Sequence, residues 1–124
     1  LGSLAAGVAH DLLAWCWDDL YGYTGQVYYQ QIGRRLVIQF VGYGRYGVES
    51  TVDAEVILYS DGRILYQYAS FNDGFDVLSS TVGIENAYGT DGLQVVFNAP
   101  YLHNDLAVLF SKGAKPPRSR AATT

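Results

Sequence analysis

The stretch from Ala54 to Tyr68, AEVILYSDGRILYQY, constrains the fold more than any other part of the chain. Two runs rich in Val, Ile, Leu and Tyr flank Ser60-Asp61-Gly62-Arg63, and an Asp-Gly pair between such runs supplies the positive φ that a tight β-hairpin turn needs. Alternate side chains of an extended strand share a face. Ile64, Tyr66 and Tyr68 therefore point one way and Leu65 and Gln67 the other, while Val56 and Leu58 alternate with Glu55, Ile57 and Tyr59. Both faces are largely apolar, the pattern of a hairpin inside a β-sandwich or barrel rather than on its rim. Asp61 and Gly62 are accordingly structural residues, with Gly62 expected at positive φ.

The same punctuation recurs along the chain. Leu12 to Trp17 reads as a strand that stops at Asp18-Asp19; QVYYQQ (26–31) and RLVIQFV (35–41) read as a second hairpin about Gly33-Arg34. GYGRYGVEST (42–51) reads as a glycine-rich connection, a crossover or a binding loop. Asn72-Asp73-Gly74 marks another turn; STVGIEN (80–86), LQVVFN (93–98) and LAVLF (106–110) complete the series. Gly83 in the middle of its strand predicts a bulge or the close approach of an aromatic ring. Seven to eight short strands bounded by Gly, Asn or Asp predict an all-β antiparallel sandwich, jelly-roll-like or Ig-like, with completion by a strand from a neighbouring chain as an option. The organisation expected is an N-terminal arm (1–10), a sandwich domain (11–111) and a basic, proline-containing tail (112–124).

Trp15 and Trp17, two apart in a strand, are expected on one face with Cys16 on the other, and at least one indole is expected beneath the central hairpin near Tyr66 or Tyr68. Cys16, the lone cysteine, forbids an internal disulfide and reads as a small buried hydrophobe. The chain contains no methionine and is expected to be a processed mature chain or a fragment. No apolar run reaches the length of a membrane span, because Asp11, Asp18 and Asp19 interrupt the best candidate.

Charge is unevenly placed. All twelve acidic residues precede Ser111, opposed there by Arg34, Arg35, Arg45 and Arg63 alone, whereas Lys112, Lys115, Arg118 and Arg120 make the tail basic. An acidic body repels phosphate, which argues against nucleic acid as a partner of the folded part. The tail suits an acidic surface, including that of a second copy.

Four words in order, DLLAWCWDDL, GQVYYQQIGRRLVIQF, DAEVILYSDGRILYQYAS and STVGIENAYGTDGLQVVFN, cover about residues 11 to 98. Together they resemble the second half of an extracellular β-sandwich accessory domain. That domain is appended to bacterial secreted peptidases of the subtilisin-like and gingipain-like kinds and to cell-surface proteins, and is distantly nidogen-like. The resemblance implies secretion, a β-sandwich and a non-catalytic accessory or adhesive role. In that family further strands ending in a glycine-rich segment precede the WDDL word, where this sequence has only LGSLAAGVAH. If those strands are absent, a sheet edge or part of the core is expected to be uncovered, and exposed edges invite pairing with another chain.

No residue set suggests catalysis. His10 and His103 are the only imidazoles, and both read as turn or surface residues outside any nucleophile motif. Asp18-Asp19, Asn72-Asp73 with Asp76, and Asn86 with Asp91 could offer oxygens to calcium, but without the spacing of a calcium loop they read first as turn formers, and no cofactor is expected. Tyr21, Tyr23, Tyr43 and Tyr46 fall in glycine-rich connections and, with the basic tail residues, are the candidate interface. The function expected is a non-enzymatic extracellular interaction domain, self-associating or adhesive, in its strongest form the subunit of a surface filament. The alternative is a glycan-binding or substrate-targeting accessory domain of a secreted peptidase.

Overall fold

The central hairpin forms where its alternation places it. In the computed structural model, which describes residues 11–22 and 25–113, strands β5 (Thr51–Tyr59) and β6 (Ile64–Asn72) pair antiparallel with Leu58 opposite Ile64 and Val56 opposite Tyr66. Gly62 alone in the turn has positive φ, at 93°; its N–H donates to the Tyr59 carbonyl and the Tyr59 N–H to the Arg63 carbonyl. This is a three-residue loop closed by a glycine, next in frequency to the two-residue turns. Asp61 accepts from the Arg63 backbone N–H (3.1 Å) and from its guanidinium (2.8 Å), and the first of these hydrogen bonds holds its carboxyl below the usual carboxylate range.

Around this hairpin the described residues build β1 (Leu12–Trp17), β2 (Leu20–Tyr21), β3 (Gln26–Ile32), β4 (Arg35–Arg45), β7 (Thr81–Glu85), β8 (Gly92–Phe97) and β9 (Leu106–Phe110), with one turn of 3-10 helix at Val77–Ser79. The larger antiparallel sheet runs β4-β5-β6-β9, and β2 and β3 both pair with the free side of β4; the smaller runs β1-β7-β8. The sheets pack face to face as a sandwich and do not close into a barrel. No helix among the described residues is long and apolar enough to cross a membrane.

The core lies between the sheets. Val52, Val56, Tyr66, Tyr68, Val108 and Phe110 enter it from the larger sheet; Cys16, Val82 and Val96 enter from the smaller, and Phe75 and Leu102 come from connections. Each such side chain, fully buried, contributes roughly 1.5–3 kcal/mol. Two tyrosines also bind the sheets by hydrogen bonds. Tyr66 donates to the Gly83 carbonyl across the core at 3.0 Å, and Tyr68 donates to the Trp15 carbonyl. Gly83 adjoins a register shift in the β7–β8 ladder.

β1 departs from simple alternation. A register shift between Ala14 and Trp17 lets Cys16 enter the core while Trp15, one residue away, packs on its edge with its ring 4.5 Å from that of Phe40. Trp15 and Trp17 therefore do not share a face opposite Cys16, and neither indole is fully buried. Tyr68 meets the β1 backbone at Trp15 and Tyr66 the β7 backbone at Gly83, with Cys16, a smaller group, in the same core cluster.

The segment 42–51 is also less of a loop than its glycines suggest. β4 continues to Arg45, so only residues 46–50 connect it to β5. Gly42, at a φ of 64°, absorbs a second register shift, between Phe40 and Tyr43.

Candidate functional site

Ladder hydrogen bonds are satisfied inside a sheet and left open on the outer side of its edge strands, so what covers each edge decides where another chain can add. β3 stands apart. Its sequence QVYYQQI carries no charge, no proline and no glycine, and its seven residues pair in unbroken register with β4, from Gln26 opposite Val41 to Ile32 opposite Arg35. On its other side no strand pairs with it among the described residues. All seven of its residues are exposed.

The reason is the width of the sandwich. The smaller sheet has three strands and the larger sheet is broader, so the core ends at the contacts of Trp15, Phe40 and Tyr43. Val27 and Tyr29, opposite Phe40 and Ile38, continue the inner face beyond that limit and remain uncovered; Tyr29 is 79% exposed. Tyr28 and Gln30 stand on the outer face beside Gln39 and Val37. The turn Gly33-Arg34, with Gly33 at a φ of 61°, joins β3 to β4. Natural sheets guard an edge with lysine, proline, a bulge or a cover. β3 has none of the first three.

The tyrosines expected at an interface separate. Tyr21 and Tyr46 are exposed and meet edge to face, with ring centroids 5.7 Å apart. Tyr43 lies within β4, half-buried against Phe40, and its ring fills the space beside Gly22 and Gly25; a Cβ on Gly25 would lie 2.6 Å from it. It is a packing residue, because the strand runs on through the glycines. Lys112 is exposed. Tyr23, Lys115, Arg118, Arg120 and His10 lie outside the described residues, as do the arm 1–10 and most of the tail. Tyr28 and Tyr29 were not among the tyrosines singled out by the sequence, because they sit in a strand rather than a loop. The signal that could have found them is the lack of any charge across seven residues.

The acidic turn residues hold the frame. The WDDL word places Asp18 where it accepts from Ser79 Oγ (2.6 Å) and Ser80 Oγ (3.3 Å) and faces Arg45 Nε at 3.7 Å. Arg45 also pairs with Asp76 at 3.0 Å, and Asp76 caps the 3-10 turn by accepting from the Leu78 N–H. That backbone hydrogen bond, ahead of the arginine, lowers the Asp76 pKa. Asn86 accepts from the N–H groups of Thr90 and Asp91. Among the described residues no three His, Cys, Asp or Glu side chains converge as metal ligands. His103 is exposed, with Nδ1 2.7 Å from the Asn104 carbonyl.

A family model described as NIDO related matches residues 2–118. No curated protein and no solved structure matches the chain.

Proposed function

The chain belongs to the NIDO-related family, which makes it an extracellular-type interaction domain in general, and on that premise we propose that it is a non-enzymatic module that associates with copies of itself by strand addition at β3. The observation that carries this reading is the edge itself: seven uncharged, exposed residues in a regular strand with one side unpaired among the described residues. Strand addition draws affinity from main-chain hydrogen bonds and specificity from alternate side chains.

The sequence of β3 is self-complementary. Two copies paired antiparallel about Tyr29 set Tyr29 opposite its counterpart, Tyr28 opposite Gln30 and Val27 opposite Gln31, so no like charges face each other. Because the rest of the body is acidic, this uncharged edge is also where two copies repel least. Such a pairing closes at a dimer. β9, at the other edge of the same sheet, is LAVLF and equally uncharged. Pairing β3 of one copy with β9 of the next is heterologous and continues without limit, the route to a surface filament. An adhesive or peptidase-accessory role on a bacterial surface uses the same exposed edge toward a different protein.

The test is sedimentation velocity on the full chain and on a Tyr29→Lys, Gln31→Lys double variant. At micromolar concentration the parent should sediment as dimers or larger, and the variant as a monomer with an unchanged melting temperature, since neither side chain enters the core. A parent that is monomeric throughout, or a variant that assembles like the parent, overturns the proposal.

A further inference from the structure

The outer face of the larger sheet, turned away from the core, is not flat. It holds a trough of about 660 Å³ spanning β4, β5, β6 and β9, within the size range of small-ligand sites. Two irregularities make it. The register shift between Phe40 and Tyr43 in β4 lies beside the one between β5 and β6 at Asp53 and Ala54, where Ala69 is the extra residue. Bulges bend a strand and increase its twist, and they commonly re-aim side chains at functional sites.

Gln39, Glu55 and Gln67 stand opposite one another on three successive strands and form one transverse row along this trough. Ala107 ends the row on β9, and Tyr28, opposite Gln39 and 55% exposed, extends it onto β3. Strands lie about 4.8 Å apart, so the row from Gln39 to Ala107 covers roughly 14 Å. Among the described residues, no hydrogen bond or ion pair occupies the side chains of Gln39, Glu55 or Gln67. Each amide offers donors and an acceptor, and the carboxylate offers acceptors. The wall beside them is already held: Asp53 accepts from the Gly42 N–H at 2.6 Å, from Ser70 Oγ at 3.0 Å and from Asn72 Nδ2 at 3.3 Å.

We propose that this trough binds a neutral oligosaccharide chain, lying across the strands with its hydroxyls on Gln39, Glu55 and Gln67 and a sugar face on Tyr28. The chemistry selects that ligand over others. No basic side chain lines the trough while Asp53, Glu55 and Asp105 do, so an anionic chain is repelled. A peptide strand needs unpaired backbone, and β4, β5 and β6, which carry Gln39, Glu55 and Gln67, are each paired on both sides. A row of mixed donors and acceptors at strand spacing instead matches hydroxyls repeated along a polymer, and the small Ala69 and Ala107 leave room for rings to settle. The site meets the β3 edge pairing proposed above only at Tyr28.

Titration calorimetry of the full chain with cellohexaose, xylohexaose, mannohexaose and chitohexaose, and with an oligogalacturonate as the acidic comparison, tests it. At least one neutral hexaose should bind with a sub-millimolar Kd and the acid should not. Gln67→Ala should weaken binding about tenfold, as expected for lost hydrogen bonds. Ala107→Trp, at an exposed position, should abolish binding by filling the trough without lowering the melting temperature. The Tyr29→Lys, Gln31→Lys variant should bind the sugar like the parent, which separates this site from assembly. No saturable binding of any neutral hexaose, preference for the acid, or indifference to Ala107→Trp overturns the proposal.

Discussion

Removing one oxygen from the middle of the sandwich measures how the two sheets are held together. Tyr66 is wholly buried, packs edge to face on Phe110 with centroids 5.1 Å apart, and donates its hydroxyl to the Gly83 carbonyl at 3.0 Å. Tyr66→Phe keeps the ring and deletes the hydrogen bond. A typical intramolecular hydrogen bond contributes about 0.5–1.5 kcal/mol net, and a buried group left without its partner costs about 1–3 kcal/mol. A carbonyl has a second lone pair, so the lower end applies and the expected loss is about 1–2 kcal/mol. With an unfolding entropy of roughly 2.1 cal/mol/K per residue, about 0.26 kcal/mol/K for the 124 residues, the melting temperature should fall by about 4–8 °C.

The same substitution has a pH signature. Burial pushes the Tyr66 and Tyr68 phenols above their ordinary pKa, because a buried phenolate is poorly solvated. Above about pH 10 the unfolded chain releases these protons while the native chain keeps them. The native state then binds more protons than the unfolded one, so stability is full below that pH and falls as pH rises, by up to about 1.4 kcal/mol per unit for each tyrosine. Urea unfolding followed by tryptophan fluorescence between about pH 7 and 11 should show a limiting slope shallower by about 1.4 kcal/mol per unit in Tyr66→Phe than in the parent, at constant denaturant dependence, with Tyr68 and the buried Cys16 thiol supplying the same remainder in both. A variant within about 0.3 kcal/mol of the parent at neutral pH and with the parent's alkaline slope would refute the cross-sheet role of this hydroxyl.

Gly62→Val should cost about 1–2 kcal/mol in chemical denaturation and Gly62→Asn distinctly less, because the penalty at a φ of 93° is backbone strain alone, with nothing within 4 Å of an added Cβ; equal costs for the two would contradict this. Cys16, pushed up to about 11 by burial despite its bond to Ser80 at 3.4 Å, should react with iodoacetamide hundreds of times more slowly in the native protein than in urea at about pH 8, and native labelling at the unfolded rate would place the thiol outside the core.

Much of the fold was legible in local sequence because hairpins are local. Asp61-Gly62, Gly33-Arg34 and Asn72-Asp73-Gly74 punctuate it where the chain turns, and LAVLF at 106–110 is β9 residue for residue. The two-residue β2 was missed because it has no pattern of its own and exists only by pairing with Gly44 and Arg45. The 3-10 turn was missed for a similar reason: its Asp76 cap is a common turn residue, and its support comes from Arg45 on a distant strand.

The alternation of the sequence by itself determined which side chains of the central hairpin point inward, and the charge distribution is a property of composition alone. Only the tertiary structure decided what lies beyond each strand. Whether QVYYQQI is an interior strand or an open edge depends on how far a separate three-stranded sheet reaches, which no window of β3 can encode. The choice of Cys16 over the indoles for the core follows from a register shift against β7, and the row Gln39, Glu55, Gln67 exists only because three strands far apart in sequence are held in one register. Side-chain direction is set by a two-residue period and can be read locally; neighbourhood is set by pairing across long loops, whose closure is a property of the whole chain.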